Sequence, residues 1–517
     1  MTLWLVGVDV RPRSAIMTIA TPQSKRSIWE VLAKLLAGKK KERVLILGSG
    51  WAGYAFARTL DPSKFERVVI SPRSYFVFTP LLASTAVGTL EFRAVLEPIR
   101  RLKGARFHQG WADDIDFAKK VVRVEENKAD DMSSRTVVPP PPTKSGDSAL
   151  TEPARLPKGP TIDVPYDKLV IAVGAYSQTF GIEGVRQHAH FLRDIGDARR
   201  IRLRVLSLFE QCASPAMPEA DRRKLLHFAV VGGGPTGIEF AAELHDLVHE
   251  DLAKLYPELM PLVRITVYDI APKVLPMFDQ ALANYAMDTF RRQGIELKTE
   301  HHLQRIRPDE DGKGGLKMKI KEYGDEEIGA GIVVWSTGLM QNPLVEKLVQ
   351  KTLPLPPLQD GEVPKGDTAE YRLEKDPKTG GIIIDSHLRA RVTSTAGETA
   401  RILPDTFVIG DCAVVNEDKS LPKTAQVASQ EALYLAKAFN KGNLDEKPFK
   451  FHNWGTMTYL GNWRAIHQSS ADEIKGRAAW ILWRTAYLTK SMSIRNKVKI
   501  PFYWLVSWIF GRDVSRF

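Results

Sequence analysis

"ERVLILGSGWAGYAFARTL", residues 42–60, runs from an apolar stretch through a glycine cluster into a helical pattern. A strand that enters Gly48-Ser49-Gly50-Trp51-Ala52-Gly53 and leaves as a helix has the form of a dinucleotide-binding turn. The first glycine permits the bend, the second lets backbone approach a pyrophosphate, and the third lets helix and strand pack closely. Free N–H groups at the helix start face the phosphates. The next strand, "ERVVISP" at 66–72, ends in Ser71, where an acidic residue ordinarily holds a ribose. Serine still offers a hydroxyl there.

The pattern recurs. "KLLHFAVVGGGPTGIEFAAELHDL", residues 224–247, gives a second strand, then Gly232-Gly233-Gly234-Pro235-Thr236-Gly237, then a helix. Its partner strand "VRITVYD" ends in Asp269, a carboxylate suited to both ribose hydroxyls of NADH and repelled by the extra phosphate of NADPH. Further strands end at Gly174 in "DKLVIAVGAYSQ", at Gly338 in "AGIVVWSTGLMQ" and at Gly410-Asp411 in "DTFVIGDCAVV". Strand ends before, after and well beyond the second turn imply one nucleotide-binding domain interrupted by another. The fold class is therefore α/β with two Rossmann-like domains, the second inserted in the first. The proline-rich stretches within 128–163 and 353–380 read as surface insertions.

Composition narrows the class. The 517 residues are 44% hydrophobic and 26% charged, with a net charge of +12. That balance is globular and basic. Only Cys212 and Cys412 are present, which excludes a disulfide scaffold, a four-cysteine zinc site and a CxxC redox pair. No His, Cys and carboxylate cluster has metal spacing, so no metal is expected; "PDEDGKGG" at 308–315 lacks the calcium-loop pattern. The first forty residues carry Arg11, Arg13, Lys25, Arg26 and Lys34 against Asp9 and Glu30, a composition suited to a mitochondrial presequence.

"LPKTAQVASQEALYLAK", residues 421–437, opens as a helix with Pro422 and Thr424 as start signals. Gln426 and Gln430 share one face beside the small Ala425 and Ser429, leaving room for something flat. Residues 451–517 hold six of the eleven tryptophans and ten Lys/Arg against three acids. Trp480, Trp483 and Tyr487 fall on one helical face, and "FYWLVSWIFG" after Pro501 reads as a second short helix. Aromatic residues flanked by cations suit a helix lying in a membrane interface; a dimer contact or core flap is the other reading.

These motifs, with "SPRSYFVFTPLL" and "MTYLGNWRAI", resemble the type II (alternative, rotenone-insensitive) NADH:quinone oxidoreductases, most closely those of fungal and plant mitochondria, over residues 42–517. The resemblance implies noncovalent FAD on Gly48, Gly50 and Gly53 with Asp411 near its ribityl-phosphate part. It implies NADH on Gly232, Gly234 and Gly237 with Asp269 on the ribose. Glu239 matches a glutamate near the nicotinamide, and Gln426 and Gln430 match the AQxAxQ motif beside the flavin at the ubiquinone pocket. The implied partition is a leader at 1–41, an FAD domain at 42–223 and 346–450, an NADH domain at 224–345, and a membrane-anchoring and dimerising segment at 451–517.

A homodimer on the lipid surface of the mitochondrial inner membrane is implied, without proton pumping and without nucleic acid. The tail looks more like the matrix-facing forms. Two rival readings stand beside it. One is a redox sensor like apoptosis-inducing factor, acting through protein or nucleic-acid partners; the other is an NADPH-preferring relative.

Overall fold

The computed structural model describes residues 41–127, 159–354, 370–395 and 400–516. The leader and most of both proline-rich stretches lie outside the described residues. Val44–Leu47 form the centre of the strand Glu42–Leu47 and are all buried, so the segment is continuously apolar rather than alternating. It lies in a twelve-stranded sheet between Lys168–Ile171 and Phe65–Ser71. Ala400–Val408 joins the far side of Lys168–Ile171 in parallel, and Ala105–Asp116 joins Phe65–Ser71 in parallel. This sheet therefore takes strands from both ends of the chain.

A second, five-stranded sheet is built entirely from the intervening sequence. Its order is His190–Phe191, Ile332–Trp335, His227–Val231, Arg264–Tyr268, Glu296–Lys298, with every pair parallel. The second dinucleotide fold is thus inserted in the first. The two crossings between them, Ala175–Ser177 and Leu339–Gln341, pair with each other antiparallel just beyond Gly174 and Gly338.

Six helices position the functional residues and their surroundings: α1 (Trp51–Thr59), α2 (Ile195–Ala213), α3 (Pro235–Asp246), α4 (Ala425–Lys441), α5 (Arg477–Lys490) and α6 (Ile494–Phe510). Helix α3 continues into a π-helical turn, Leu247–Leu252. Helix α4 begins where the start signals place it, with Thr424 Oγ1 accepting from the Val427 N–H at 3.3 Å.

The C-terminal segment departs from the expectation in two ways. Helix α6 passes through Pro501 instead of starting after it: Ser493 caps it, its hydroxyl accepting from the Asn496 N–H. Proline forfeits one ladder bond, and tertiary packing of Ile500 and Trp504, both buried, outweighs that loss. The Trp480, Trp483 and Tyr487 face also turns inward. Trp483 is buried against Tyr459 and Tyr487, and Tyr487 meets Phe78. The core-flap reading holds for those three rings. The outward surface is carried instead by Ile481, Ile494, Val498, Phe502, Leu505, Trp508, Ile509 and Phe510, each more than half exposed. No helix among the described residues is long and apolar enough to cross a membrane.

Candidate functional site

Both glycine turns have the geometry that a dinucleotide requires. Gly48 and Gly232 sit at φ +111 and +116, a region closed to other residues. A Cβ on Gly53 would lie 2.1 Å from the Gly48 carbonyl oxygen, and one on Gly237 2.0 Å from that of Gly232. A Cβ on Gly50 or Gly234 would meet nothing within 4 Å. The third glycine of each turn serves packing, and the middle one faces open space at a helix start.

Around the first turn, Gly410 lies between Ala52 of α1 and Ala428 of α4, so the starts of both helices and Asp411 converge there. Arg193 is half-buried, with Asp411 the opposing charge that acts on it most strongly and its Nη1 buried without a partner. An open glycine cradle beside an orphaned guanidinium fits a pyrophosphate such as that of FAD. Ser71 does not take the place assigned to it. It is 2% exposed, and its hydroxyl shares a 2.8 Å hydrogen bond with Ser49, also buried. Both hydroxyls knit the turn to its neighbouring strand, so neither is offered to a ribose. Gly174 and Gly338, both at positive φ, stand at the start of the paired crossings.

At the second turn Asp269 is tied to the neighbouring backbone. Its carboxylate accepts from the Gly233 N–H and, at 2.7 Å, from the Ala271 N–H, and it is partly exposed.

Glu239, on the second turn of α3, is buried. One carboxylate oxygen accepts from the Tyr459 N–H and the Trp483 Nε1–H, both at 3.2 Å. Burial raises its pKa to about 8, more than those two donors lower it, so the carboxyl is mostly neutral at neutral pH. Glu243 and Asp246 continue the same face. Glu243 accepts from Ser84 and Thr89 hydroxyls at 2.6 and 2.9 Å, and Asp246 from the Tyr459 hydroxyl at 2.6 Å. That i, i+4, i+7 spacing of acids is present in "GIEFAAELHD" and is the signal that could have singled them out.

Sequence reasoning also misses Glu431 on α4. It is 2% exposed, accepts from the Gly410 N–H at 2.6 Å, and burial raises its pKa to about 8. No periodicity distinguishes it from a surface glutamate. Because both Glu239 and Glu431 bind a proton more tightly folded than unfolded, the stability they contribute is full below about pH 4.5 and is lost as pH rises through about 8. Thermal melting from pH 5 to 9 is expected to fall with pH, and Glu431→Gln to flatten that fall.

Gln426 and Gln430 do not stand free. Gln430 donates to the His452 carbonyl at 2.8 Å and accepts from the His452 N–H at 3.0 Å. Gln426 accepts from the Trp454 N–H at 2.8 Å and donates to the Gly455 carbonyl at 3.3 Å. Together they grip the 452–455 backbone as an edge strand would. An amide has two N–H donors, so one on each remains for a ligand. Ala425 and Ser429 are partly exposed beside them.

Both cysteines are buried and free, and burial holds Cys412 near a pKa of 12 and Cys212 near 11. Such thiols are inert. No group of metal-ligating side chains occurs among the described residues.

Comparison with known proteins agrees with this arrangement. Residues 42–355 match the family described as pyridine nucleotide-disulphide oxidoreductase, and residues 453–513 match the NDH2 C-terminal domain. The chain is 37% identical to a probable NADH dehydrogenase of Dictyostelium discoideum, over 99% of this chain and 100% of that one. It is 32% identical to the external alternative NAD(P)H-ubiquinone oxidoreductase B3, mitochondrial, of Arabidopsis thaliana, over 92% of this chain and 91% of that one. Among solved structures, NDH2 from Plasmodium falciparum in complex with NADH superimposes with a TM-score of 0.74 at 24% identity, covering 92% of this chain and 100% of that one.

Proposed function

The chain belongs to the type II NADH dehydrogenase family, and from that premise we propose that it oxidises NADH and reduces ubiquinone through noncovalently bound FAD, without moving protons across the membrane. The observation that carries this is the convergence of an open glycine cradle and the starts of α1 and α4 around Gly410, with α4 also carrying the glutamine grip on 452–455. When bound, FAD supplies the two-electron carrier between NADH and quinone. Gly48, Gly50, Gly53, Asp411 and Arg193 would hold it. Asp269 orients NADH by its ribose, while Gly232, Gly234 and Gly237 accept its phosphates.

Quinone reduction takes up two protons, so a neutral, buried Glu239 is suited to hold one close to the reaction while Trp483 and Tyr459 keep water out. The N-terminus of α4 favours negative charge that develops on the reacting rings. The exposed apolar stripe of α6, with Lys490, Lys497 and Lys499 nearby in sequence, would seat the enzyme on the mitochondrial inner membrane, with the matrix face favoured and a homodimer as the assembly.

The test is turnover of purified, FAD-loaded protein with a short-chain ubiquinone, NADH and NADPH in parallel. Fast, NADH-selective reduction supports the reading. A flavin reduced by NADH that passes electrons only sluggishly to quinone would sink it in favour of the sensor.

A sharper expectation concerns Gln430→Ala. It removes two backbone bonds of about 1 kcal/mol each and loosens 452–455. The KM for quinone is expected to rise roughly tenfold, that loss being about 1.4 kcal/mol, while stopped-flow reduction of the flavin by NADH keeps its rate. Slowed flavin reduction would place Gln430 on the nicotinamide side instead.

A further inference from the structure

A cavity of about 500 Å³ opens beside the π-helical turn after α3, between that turn, the α5–α6 pair and the last residues of the chain. Its size suits a small ligand or the head of a larger one. Tyr459, Trp463, Trp480, Trp483 and Trp504 form its walls. Trp463 is held at φ +61, a costly conformation for a bulky residue, in the tight turn between Thr456–Gly461 and Arg464–Gln468. That turn puts its indole against Trp480, with ring centroids 4.9 Å apart.

The charges in the cavity are unequally matched. Arg512 pairs with Glu250 and Asp251 at 2.7 Å each. Glu243 has both oxygens on Ser84 and Thr89. Arg484, in contrast, lies between Trp480 and Trp504, 4.4 Å from each ring centroid, and makes no ion pair among the described residues. Its Nε is buried without a hydrogen-bond partner. Lys254, exposed at the mouth, is likewise unpaired among the described residues. At the same mouth Leu255, Trp508, Ile509 and Phe510 are each more than half exposed.

A guanidinium sandwiched by indoles, a second cation at the entrance and an apolar rim ask for an anionic head on an apolar tail. We propose that this cavity binds the phosphodiester headgroup of an anionic membrane phospholipid, with Arg484 and Lys254 on the phosphate and the acyl chains over Trp508, Ile509 and Phe510. Arg484 is suited to a phosphate because its fork can engage two oxygens at once. A quinone ring is neutral and offers the guanidinium no anion, and the opposing charges that act on it, Glu243 and Glu250, make no ion pair with it among the described residues. This inference rests on the membrane-surface reading above and adds a specific lipid site to it. Trp483 and Tyr459 both border the cavity and both donate to Glu239, so the lipid site touches the redox site through these two residues.

The experiment is flotation of the full-length, FAD-loaded protein with vesicles of phosphatidylcholine alone or mixed with phosphatidylglycerol. It is run in about 1 M salt, where the Debye length is about 3 Å and diffuse surface attraction is screened out. The native protein is expected to bind both vesicles and to prefer those with phosphatidylglycerol. Arg484→Gln and Lys254→Gln should each cut that preference by about tenfold, the loss of one direct hydrogen bond between charged groups. Arg484→Lys should restore part of it, and binding to phosphatidylcholine alone should not change.

A preference that survives in the doubly substituted protein, or that the native protein never shows, overturns the lipid site while leaving membrane docking intact. Failure to bind either vesicle overturns the membrane reading as well. Displacement by glycerol 3-phosphate as readily as by lipid assigns the site to a soluble phosphate and overturns the lipid. Should Arg484→Gln not fold, Lys254→Gln at the exposed mouth decides alone.

Discussion

Asp269→Ala is expected to lower kcat/KM for NADH by roughly a hundredfold and to leave that for NADPH almost unchanged. Hydrogen bonds to a charged group contribute about 1.5–3 kcal/mol each, and a carboxylate bridging two ribose hydroxyls makes two. Each 1.4 kcal/mol is tenfold, so losing about 3 kcal/mol gives the hundredfold. The carboxylate is already fixed in place, since the Gly233 and Ala271 N–H groups hold it against the turn. NADPH behaves differently because its added phosphate would stand against the same carboxylate, and removing one repulsion offsets one lost hydrogen bond. Steady-state kinetics with both coenzymes, on protein with full flavin content, measures the ratio. An unchanged preference for NADH would remove Asp269 from the ribose and make it only the anchor of the Gly233 turn.

What can be read in the chain divides by the range of the interaction. Both glycine turns and the start of α4 depend on neighbours within a few residues and are legible from spacing, and the inserted sheet is legible through the turn it carries and the strand ends on either side of it. Gly174 and Gly338 are legible as strand ends, but not as the two halves of one antiparallel pair, because strands 175–177 and 339–341 are far apart in sequence. Ser71 misleads for a similar reason: its position is that of a ribose contact, yet its partner Ser49 turns it inward.

The glutamines show the same limit in the site itself. Their shared helical face is plain, but the backbone of 452–455 that they grip cannot be inferred from the helix alone. The aromatic face of α5 is evident from spacing, and its direction is not. Amphipathic periodicity says that a face is apolar and does not say whether protein or lipid covers it. Here the hairpin at 456–468 and the aromatic residue Phe78 cover it, leaving α6 as the outer surface. Buried acids are least legible of all, since burial is a tertiary fact; Glu431 differs from a solvated glutamate only by the Gly410 N–H above it.

Gly50→Val is expected to strip the protein of flavin while leaving its fold in place. The residue has φ −76 and ψ −165, an extended conformation in which a β-branched side chain is at ease. Its Cβ would meet no atom within 4 Å, so the flavin-free fold should change by no more than about 0.5 kcal/mol. The open space is nevertheless where the backbone must approach a pyrophosphate, and two methyl groups there block the approach. Bound flavin per chain, read from the visible absorbance of purified protein, should drop to less than about a tenth, and turnover with it.

Gly53→Val supplies the contrast. Its Cβ would stand 2.1 Å from the Gly48 carbonyl oxygen and 2.9 Å from the carbon, so the turn itself must break. There the melting temperature of the flavin-free protein should fall, by the equivalent of about 1–3 kcal/mol or more. Comparing both variants with flavin-stripped native protein matters, because a bound ligand stabilises the native state by mass action and its loss alone lowers the melting point. If Gly50→Val kept its full flavin, the pyrophosphate would have to lie elsewhere, and the convergence of α1 and α4 on Gly410 would lose its meaning as a cofactor site.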